Sequence, residues 1–441
     1  MRCSEKRLYG DLSQINTENF VQQCRLISEK HFTRNRKMPL KHLFLSVPFR
    51  KGRTLYFELK YFKELFAMKD KISKPGYLKQ RMKLNPKAFL ELMRFHTSNF
   101  YKDTNSVTKW KDYIVLATDG SSCNVPLTKE NVTIYGNTSK HGRKERPQIG
   151  ISCLFDVVNR MVIDINTGMC KLDERTESLR HIDRASHVIG TLPTIYVFDR
   201  GYPSGSFFIE LMQRDVKFVM RLPSTSFKRE QNSMKTDDQW IDIQFDKTRI
   251  NAQRRLGNEE KAKSLEEVGS IRLRFVKITL KNETDEYLVT NIDKEIVTTS
   301  EISELYRMRW GIETAFDDMK NKLQLENFTG SKPIIMEQDI YATGYLYNIM
   351  SDIMQDAEKE RDKEKEYKYK MQINRTIAAG VIKKEVILLL LEENPKEREQ
   401  IMTNLIKEIK SNILPVRRER SYDRANGNLA SKYSNVKKRS F

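Results

Sequence analysis

Two short apolar runs decide what this chain can fold into. Residues 113–117 read YIVLA and residues 194–198 read TIYVF, five residues each. Both are too short for a buried helix, and neither alternates apolar with polar residues. They therefore read as strands covered on both faces, inside a sheet with helices packed above and below. Each run leads into an acid beside a glycine, Thr118-Asp119-Gly120 in one case and Asp199-Arg200-Gly201 in the other. In an open α/β sheet the strand ends are where the chain turns into a crevice and exposes working groups. Asp and Gly also favour plain turns, so both readings of Asp119 and Asp199 stand on this pattern alone.

The neighbouring segments support a mixed sheet. Residues 148–157 and 161–165 flank Asn159-Arg160 as a hairpin, and 217–222 (KFVMRL) is a further strand. Residues 171–181 and 204–213 are helix-like and separate these strands. A meander followed by strands alternating with helices predicts an α/β fold. Residues 225–285 interrupt the order with two alternating segments, 240–245 (WIDIQF) and 271–280 (IRLRFVKITL), and read as a β-rich insertion. A long helix is predicted from about Ser300 to Leu325, opened by a capping box of Thr298 and Glu301. Residues 350–410 are helical and highly charged, with one apolar helix at 378–391.

Charge is concentrated at the ends. Of the formal net charge of +20, residues 1–100 carry +14 (22 Lys/Arg against 8 Asp/Glu) and residues 411–441 carry +6 (8 against 2). The centre is neutral. Basic arms bind polyanions by releasing condensed counterions, so nucleic acid is the first partner expected. A basic helical turn around Lys79, Arg81 and Lys83 is a candidate for phosphate contact, or an ordinary hairpin with a solvated basic face. The chain is 39% hydrophobic, which excludes a wholly disordered protein. The longest apolar run, 386–391, falls far short of the about 18 residues of a membrane span. The opening MRCSEKRLYG has no apolar signal region. Five cysteines without a CxxC pair read as reduced thiols. A cytoplasmic protein with no membrane partner is therefore expected.

The long helix carries the most specific pattern. Tyr306, Arg309, Glu313 and Lys320 are spaced so that, at about 100° per residue, they point to about 0°, −60°, −20° and −40°. Leu305, Ile312, Phe316, Met319 and Leu323 centre near about −110°, a core stripe beside a polar one. An exposed i, i+4 ion-pair face would satisfy Arg309 and Glu313 equally well, and Asp317 is not excluded from the polar stripe. Three carboxylates, two from strands and one from a helix, suit hard cations such as Mg²⁺, which takes oxygen ligands and keeps its waters. Two such ions clamp the attacking and leaving oxygens of a phosphodiester displacement, while Arg and Lys grip phosphates.

The spacing Tyr306, Arg309, Glu313, Lys320 resembles the YREK signature of a large group of bacterial insertion-sequence transposases. The surrounding YRMRWGIETAFDDMK is similar to that group, including Trp310 and Ile312. TDGS at 118–121 and VFDRGY at 197–202 resemble its other two acidic motifs. The resemblance spans roughly 75–441, including the SKPGYLKQRMKLNP stretch and the Arg-rich tail. It implies a DDE transposase with an RNase-H-like core, excising and inserting its own element by cut and paste through a hairpin intermediate. It implies that Asp119, Asp199 and Glu313 are catalytic and hold two Mg²⁺ ions, with Mn²⁺ as a substitute. Tyr306, Arg309 and Lys320 become phosphate contacts at the transposon end, and Trp240, the one Trp of the insertion, the candidate platform for an extruded base. The partners implied are terminal inverted repeats and target DNA, in a homodimer synapsed on DNA, and the protein would be bacterial and nucleoid-associated. A catalytically silent DNA-binding descendant of a transposase is the alternative.

On this reading the chain divides into a basic helical DNA-binding region (1–100), a first part of the core (101–224), the β-rich insertion (225–285), a second part bearing the Glu helix (286–350), a helical region (351–414) and a basic tail (415–441).

Overall fold

The YIVLA run does form a strand buried on both faces, but a longer one than expected. Strand β1 spans Ile114–Asn124 and carries Thr118, Asp119 and Gly120 within it. The computed structural model describes residues 1–33, 37–138, 146–280, 283–361 and 367–416. From residue 417 on, the expected basic tail lies outside the described residues.

After β1 come β2 (Asn137–Thr138), β3 (Arg146–Asp156), β4 (Met161–Gly168), β5 (Thr194–Phe198), β6 (Lys217–Leu222), β7 (Asp238–Gln244), β8 (Ser270–Thr279) and β9 (Asp285–Thr290). Among the described residues these nine strands make one sheet, ordered β4-β3-β1-β5-β6-β9-β8-β7, with β2 pairing the start of β3. The parallel neighbours are β1–β5 and β5–β6; every other pair is antiparallel. The sheet is therefore mixed, as expected, with helical crossovers between the parallel neighbours and a tight turn between β3 and β4. The β3–β4 turn is held by Asp156, whose Oδ1 accepts from the Val158 and Asn159 amides at 2.9 Å each. Arg160 takes the left-handed conformation there, at φ 56°.

Residues 225–285 are not a separate β unit. β7 and β8 extend the central sheet beyond β9, and the polar stretch between them is helical, Lys247–Arg255 and Glu259–Val268. Alternation in the two strands was legible; the intervening helices are short and mostly charged, so only Ile250, Ala262 and Leu265 on them are buried.

Helices cover both faces. On one side lie α1 (Glu174–Ile189) and α2 (Gly205–Gln213), packed on Leu116, Tyr196, Phe198 and Phe218. On the other, the helix of Pro333–Lys359 shares one core with the N-terminal helices, through Leu8, Phe44, Phe89 and Met93, and with the C-terminal helices Arg375–Leu391 and Pro395–Ser411. The apolar face of Arg375–Leu391 is thus buried within the chain. Divisions expected after residues 100, 285, 350 and 414 fall inside Lys87–Lys102, β9, Pro333–Lys359 and the strand Ile413–Pro415. Composition changes at those points but the elements run through them. All five cysteines are unbridged, and no helix among the described residues is long and apolar enough to cross a membrane.

Buried ions fasten these helices together. Arg7 donates from Nε to Asp352 at 2.7 Å, and His96 Nδ1 lies 2.7 Å from Asp11, which also accepts from the Tyr345 hydroxyl at 2.8 Å. Arg81, expected on a solvated face, is 0% exposed. Its guanidinium binds Gln338 at 2.8 Å, Asp339 at 2.9 Å and Thr329, while Arg50 reaches Asp339 from the other side at 2.5 Å. A guanidinium so engaged and fully buried is out of reach of a phosphate. Its neighbour Lys79 is exposed and Lys83 half-buried. Arg81→Ala is expected to cost about 3–5 kcal/mol, because it strips one partner from a buried carboxylate; Lys79→Ala changes stability by less than about 0.5 kcal/mol. Chemical denaturation of both variants checks this.

Burial opposes the charged form of His96, but Asp11 and Asp352 hold its proton, and its pKa is pushed up to about 9. The stability it contributes is complete below its ordinary value of about 6.5 and is lost as pH rises through about 9. Thermal melts across that window are expected to show a declining Tm that is flatter in His96→Gln.

Candidate active site

Strand register brings the two aspartates side by side. Ile114–Ala117 pairs in parallel with Thr194–Val197, Ala117 opposite Val197. Two residues further along each strand, Asp119 and Asp199 lie level, on strands about 4.8 Å apart, and on the face that Ala117 and Val197 share. β5 ends at Phe198, so Asp199 follows a strand end, as expected. Asp119 does not: β3 keeps pairing with β1 past it, Asp119 opposite Cys153 and on to Asn124 opposite Gln148. The half-buried acid reaches the crevice because β1 has outrun its parallel neighbour, not because it has ended.

The expected single helix is three pieces: α3 (Thr299–Met308), α4 (Trp310–Asp317) and a π turn at Asp318–Lys322. The Thr298–Glu301 capping box is present. At the first joint the Arg309 amide donates to Tyr306 O and the Ile312 amide to Arg309 O, both at 3.1 Å, a tightened turn of 3₁₀ type. Gly311 follows, where a Cβ would stand 3.2 Å from Val157 Cβ. Glycine lets α4 press against the β3–β4 hairpin. This seats Glu313 and Arg309 over the aspartates.

Tyr306, Arg309 and Glu313 do gather there. The Tyr306 hydroxyl donates to Asp199 Oδ1 at 3.3 Å. Arg309 donates from Nη2 to Glu313 Oε1 at 2.7 Å, and its Nε lies 4.0 Å from Asp199 Oδ1. Lys320 departs from this group. The π turn carries its Nζ to Ser121 Oγ at 2.7 Å and Ser122 O at 2.9 Å, tying the helix to the far end of β1. The same turn drives Asp318 inward to Arg160 and Arg375, at 3.2 and 2.5 Å. Asp317 points outward, to Asn321.

Burial raises the Asp119 carboxyl to a pKa of about 6, opposed by the Gly120 amide and by Arg309 and reinforced by Glu174 and Glu313. Glu174 was not singled out in the sequence. It is the first residue of α1, and its Oε1 would lie 3.0 Å from a Cβ on Gly120, so the glycine leaves it room at the rim. Arg175 fixes that helix start by donating to Tyr202 O and Gly201 O, at 2.9 Å each. Burial and then the Asp199 charge raise the Glu174 carboxyl. The one available signal was the run Asp173-Glu174-Arg175 opening a helix. Burial first, then Asp199, pushes the Tyr306 phenol up to about 12.

Trp240 is not brought here. It lies half-buried on β7, opposite Arg274, four strands from β5 and so about 19 Å across the sheet. The exposed aromatic beside the site is Trp310, at 53%.

Among the described residues no three His, Cys, Asp or Glu side chains converge on one point. The donors are nonetheless all carboxylate oxygens, the ligands of a hard cation that keeps waters and needs few protein groups. The Arg309 guanidinium lies against both Asp199 and Glu313, and oxygen donors of this kind are those that suit Mg²⁺.

A mixed sheet with β1–β5–β6 parallel at its centre, helices on both faces, and level carboxylates under a helix is an RNase-H-like core. The family described as "Transposase DDE domain" matches residues 110–349, more than half the chain, and the chain belongs to it. It is 21% identical over 352 residues to "Transposase InsG for insertion sequence element IS4" of Escherichia coli (strain K12), covering 78% of this chain and 74% of that protein. A cryo-EM structure of the piggyBac transposase synaptic complex with hairpin DNA aligns over 94% of this chain and 87% of its own, at TM-score 0.46 and 12% identity.

In ¹³C-carboxyl spectra of the metal-free protein, Asp119 is expected to titrate near pH 6. Arg309→Ala should move that midpoint upward, since a positive charge that favours the carboxylate is lost. An unchanged midpoint would place Arg309 outside the electrostatics of the site.

Proposed function

We propose that the chain is a transposase of the YREK-signature group that cuts its own element from DNA and joins it to a target, using Mg²⁺ at Asp119, Asp199 and Glu313. What supports this most is that one guanidinium, that of Arg309, pairs with Glu313 and stands beside Asp199, with Asp119 level on the neighbouring strand. Asp119 and Asp199 offer oxygens from adjacent strands, and Glu313 closes over them from α4. Two Mg²⁺ ions bound there would activate an attacking water or 3′-hydroxyl and neutralise the leaving oxygen. Arg309 presents a planar fork suited to a phosphate. Tyr306 orients Asp199 through its hydroxyl and borders the same surface. Lys320, on leaving Ser121, supplies a point charge from the π turn. The basic N-terminal helices, Lys79 among them, and the basic tail add sequence-independent attraction to terminal-repeat and target DNA. Cleavage through a hairpin, and synapsis of two ends by a homodimer, complete the cut-and-paste reading.

The test uses labelled DNA flanking the protein's reading frame, incubated with Mg²⁺ and resolved on denaturing and native gels. Site-specific breaks at matching inverted sequences are expected from the wild type. Glu313→Gln is expected to bind those sequences with affinity within about twofold of wild type and to cut them at a rate lower by about 10³-fold or more, the scale of losing a group that acts only on the reacting atoms. Sequence-specific binding that is indifferent to chelator, with no break, would instead identify a catalytically silent DNA-binding descendant.

A further inference from the structure

Among the described residues the guanidinium of Arg309 is the one cation set directly against Asp199 and Glu313. Its side chain is 10% exposed, against 32% for Glu313 and 39% for Asp199. It donates to Glu313 at 2.7 Å on one edge and stands 4.0 Å from Asp199 on another. An ion drawing an oxygen from either acid must take one that Arg309 now engages. Lys320 is under no such conflict, because its partners are a serine hydroxyl and a backbone carbonyl.

We propose that Arg309 is an exchangeable counter-cation: it fills the site in the metal-free protein, and divalent metal and a DNA phosphate displace it together. This rests on the active-site reading above and adds an order of events to it. Metal loading releases the guanidinium from its carboxylates. Arg309 stands at the joint between α3 and α4, its guanidinium carbon 6.0 Å from the centre of the Tyr306 ring. A released fork on that joint seeks a new anion, and a phosphate of bound DNA supplies one. Conversely, a phosphate that captures Arg309 frees Glu313 and Asp199 for metal. The two bindings are then linked, and linkage of this kind is reciprocal. The site binds divalent ions more weakly until DNA arrives.

The test is direct metal binding without DNA, measured by the EPR signal of free Mn²⁺, on the full chain. Arg309→Ala is expected to bind Mn²⁺ about tenfold more tightly than wild type, within the usual range of coupling between sites. Arg309→Lys should fall between them, since an ammonium cannot span both acids. In parallel, anisotropy of a labelled flanking duplex is read in Ca²⁺ and in chelator. Wild type should bind DNA at least about fivefold tighter in Ca²⁺, and Arg309→Ala should lose most of that ratio. Mn²⁺ affinity in Arg309→Ala equal to or weaker than wild type would overturn the exchange. If that variant does not fold, the same comparison with Arg309→Lys decides it. Asp119→Asn separates the two levels. Metal binding lost in Asp119→Asn but untouched by Arg309 substitution leaves the active-site reading standing and removes only the exchange. No Mn²⁺ bound by wild type with or without DNA removes both.

Discussion

Everything in the site depends on β1 being longer than β5. The two strands share four parallel pairs. Past that point β5 ends while β3 continues to hold β1. The unpaired edge of β1 is where Asp119 gains solvent and Asp199 gains a neighbour. Shortening β1 would turn Asp119 into a loop residue with a mobile backbone. Lengthening β5 would pair the edge and cover it. The antiparallel contact with β3 keeps Asp119 rigid, and rigidity at this point sets the spacing that any ion or phosphate must meet.

Charge in this molecule does two separate jobs, and the sequence does not distinguish them. Arg81 and Lys79 stand two residues apart on one short basic helix. One is completely buried against Gln338 and Asp339; the other faces water. Gln338 and Asp339 are 257 and 258 residues away from Arg81 along the chain. A local pattern of lysine and arginine reports a basic segment, but which of its charges is free is decided by tertiary packing. Asp318 makes the same point, an acid in a charged helical run that turns inward to Arg160 and Arg375.

What could be read in advance followed periodicity. Apolar runs of five residues located β1 and β5, and the alternating segments located β7 and β8, because burial of a strand leaves a local record. Glu313 was singled out by the spacing of Tyr306, Arg309, Glu313 and Lys320 in one apparent helix, and Asp119 and Asp199 by their places after the two apolar runs. The break at Arg309 and the π turn were not, since every residue there is compatible with a regular helix. They arise from the approach of Gly311 to Val157 and from the contacts Lys320 and Asp318 make elsewhere. Glu174 escaped notice for a related reason: it lies on the opposite flank of the sheet and reaches the site only because Gly120 has no side chain. Trp240 failed as a neighbour of the acids because strand order, not strand content, places it at the far edge.

The ion pair between Arg7 and Asp352 joins residues 345 positions apart. Arg7, on helix Cys3–Ile15, also pairs with Asp103 at 3.0 Å, 96 residues along, but the more deeply buried partner is Asp352 on the helix of Pro333–Lys359. Leu8 and Ile15 of the same helix join the core that this distant helix completes. Contacts of such sequence separation close slowly, because the chain between them must be ordered first. Without the helix of Pro333–Lys359, Arg7 would lose Asp352 and Leu8 part of its core.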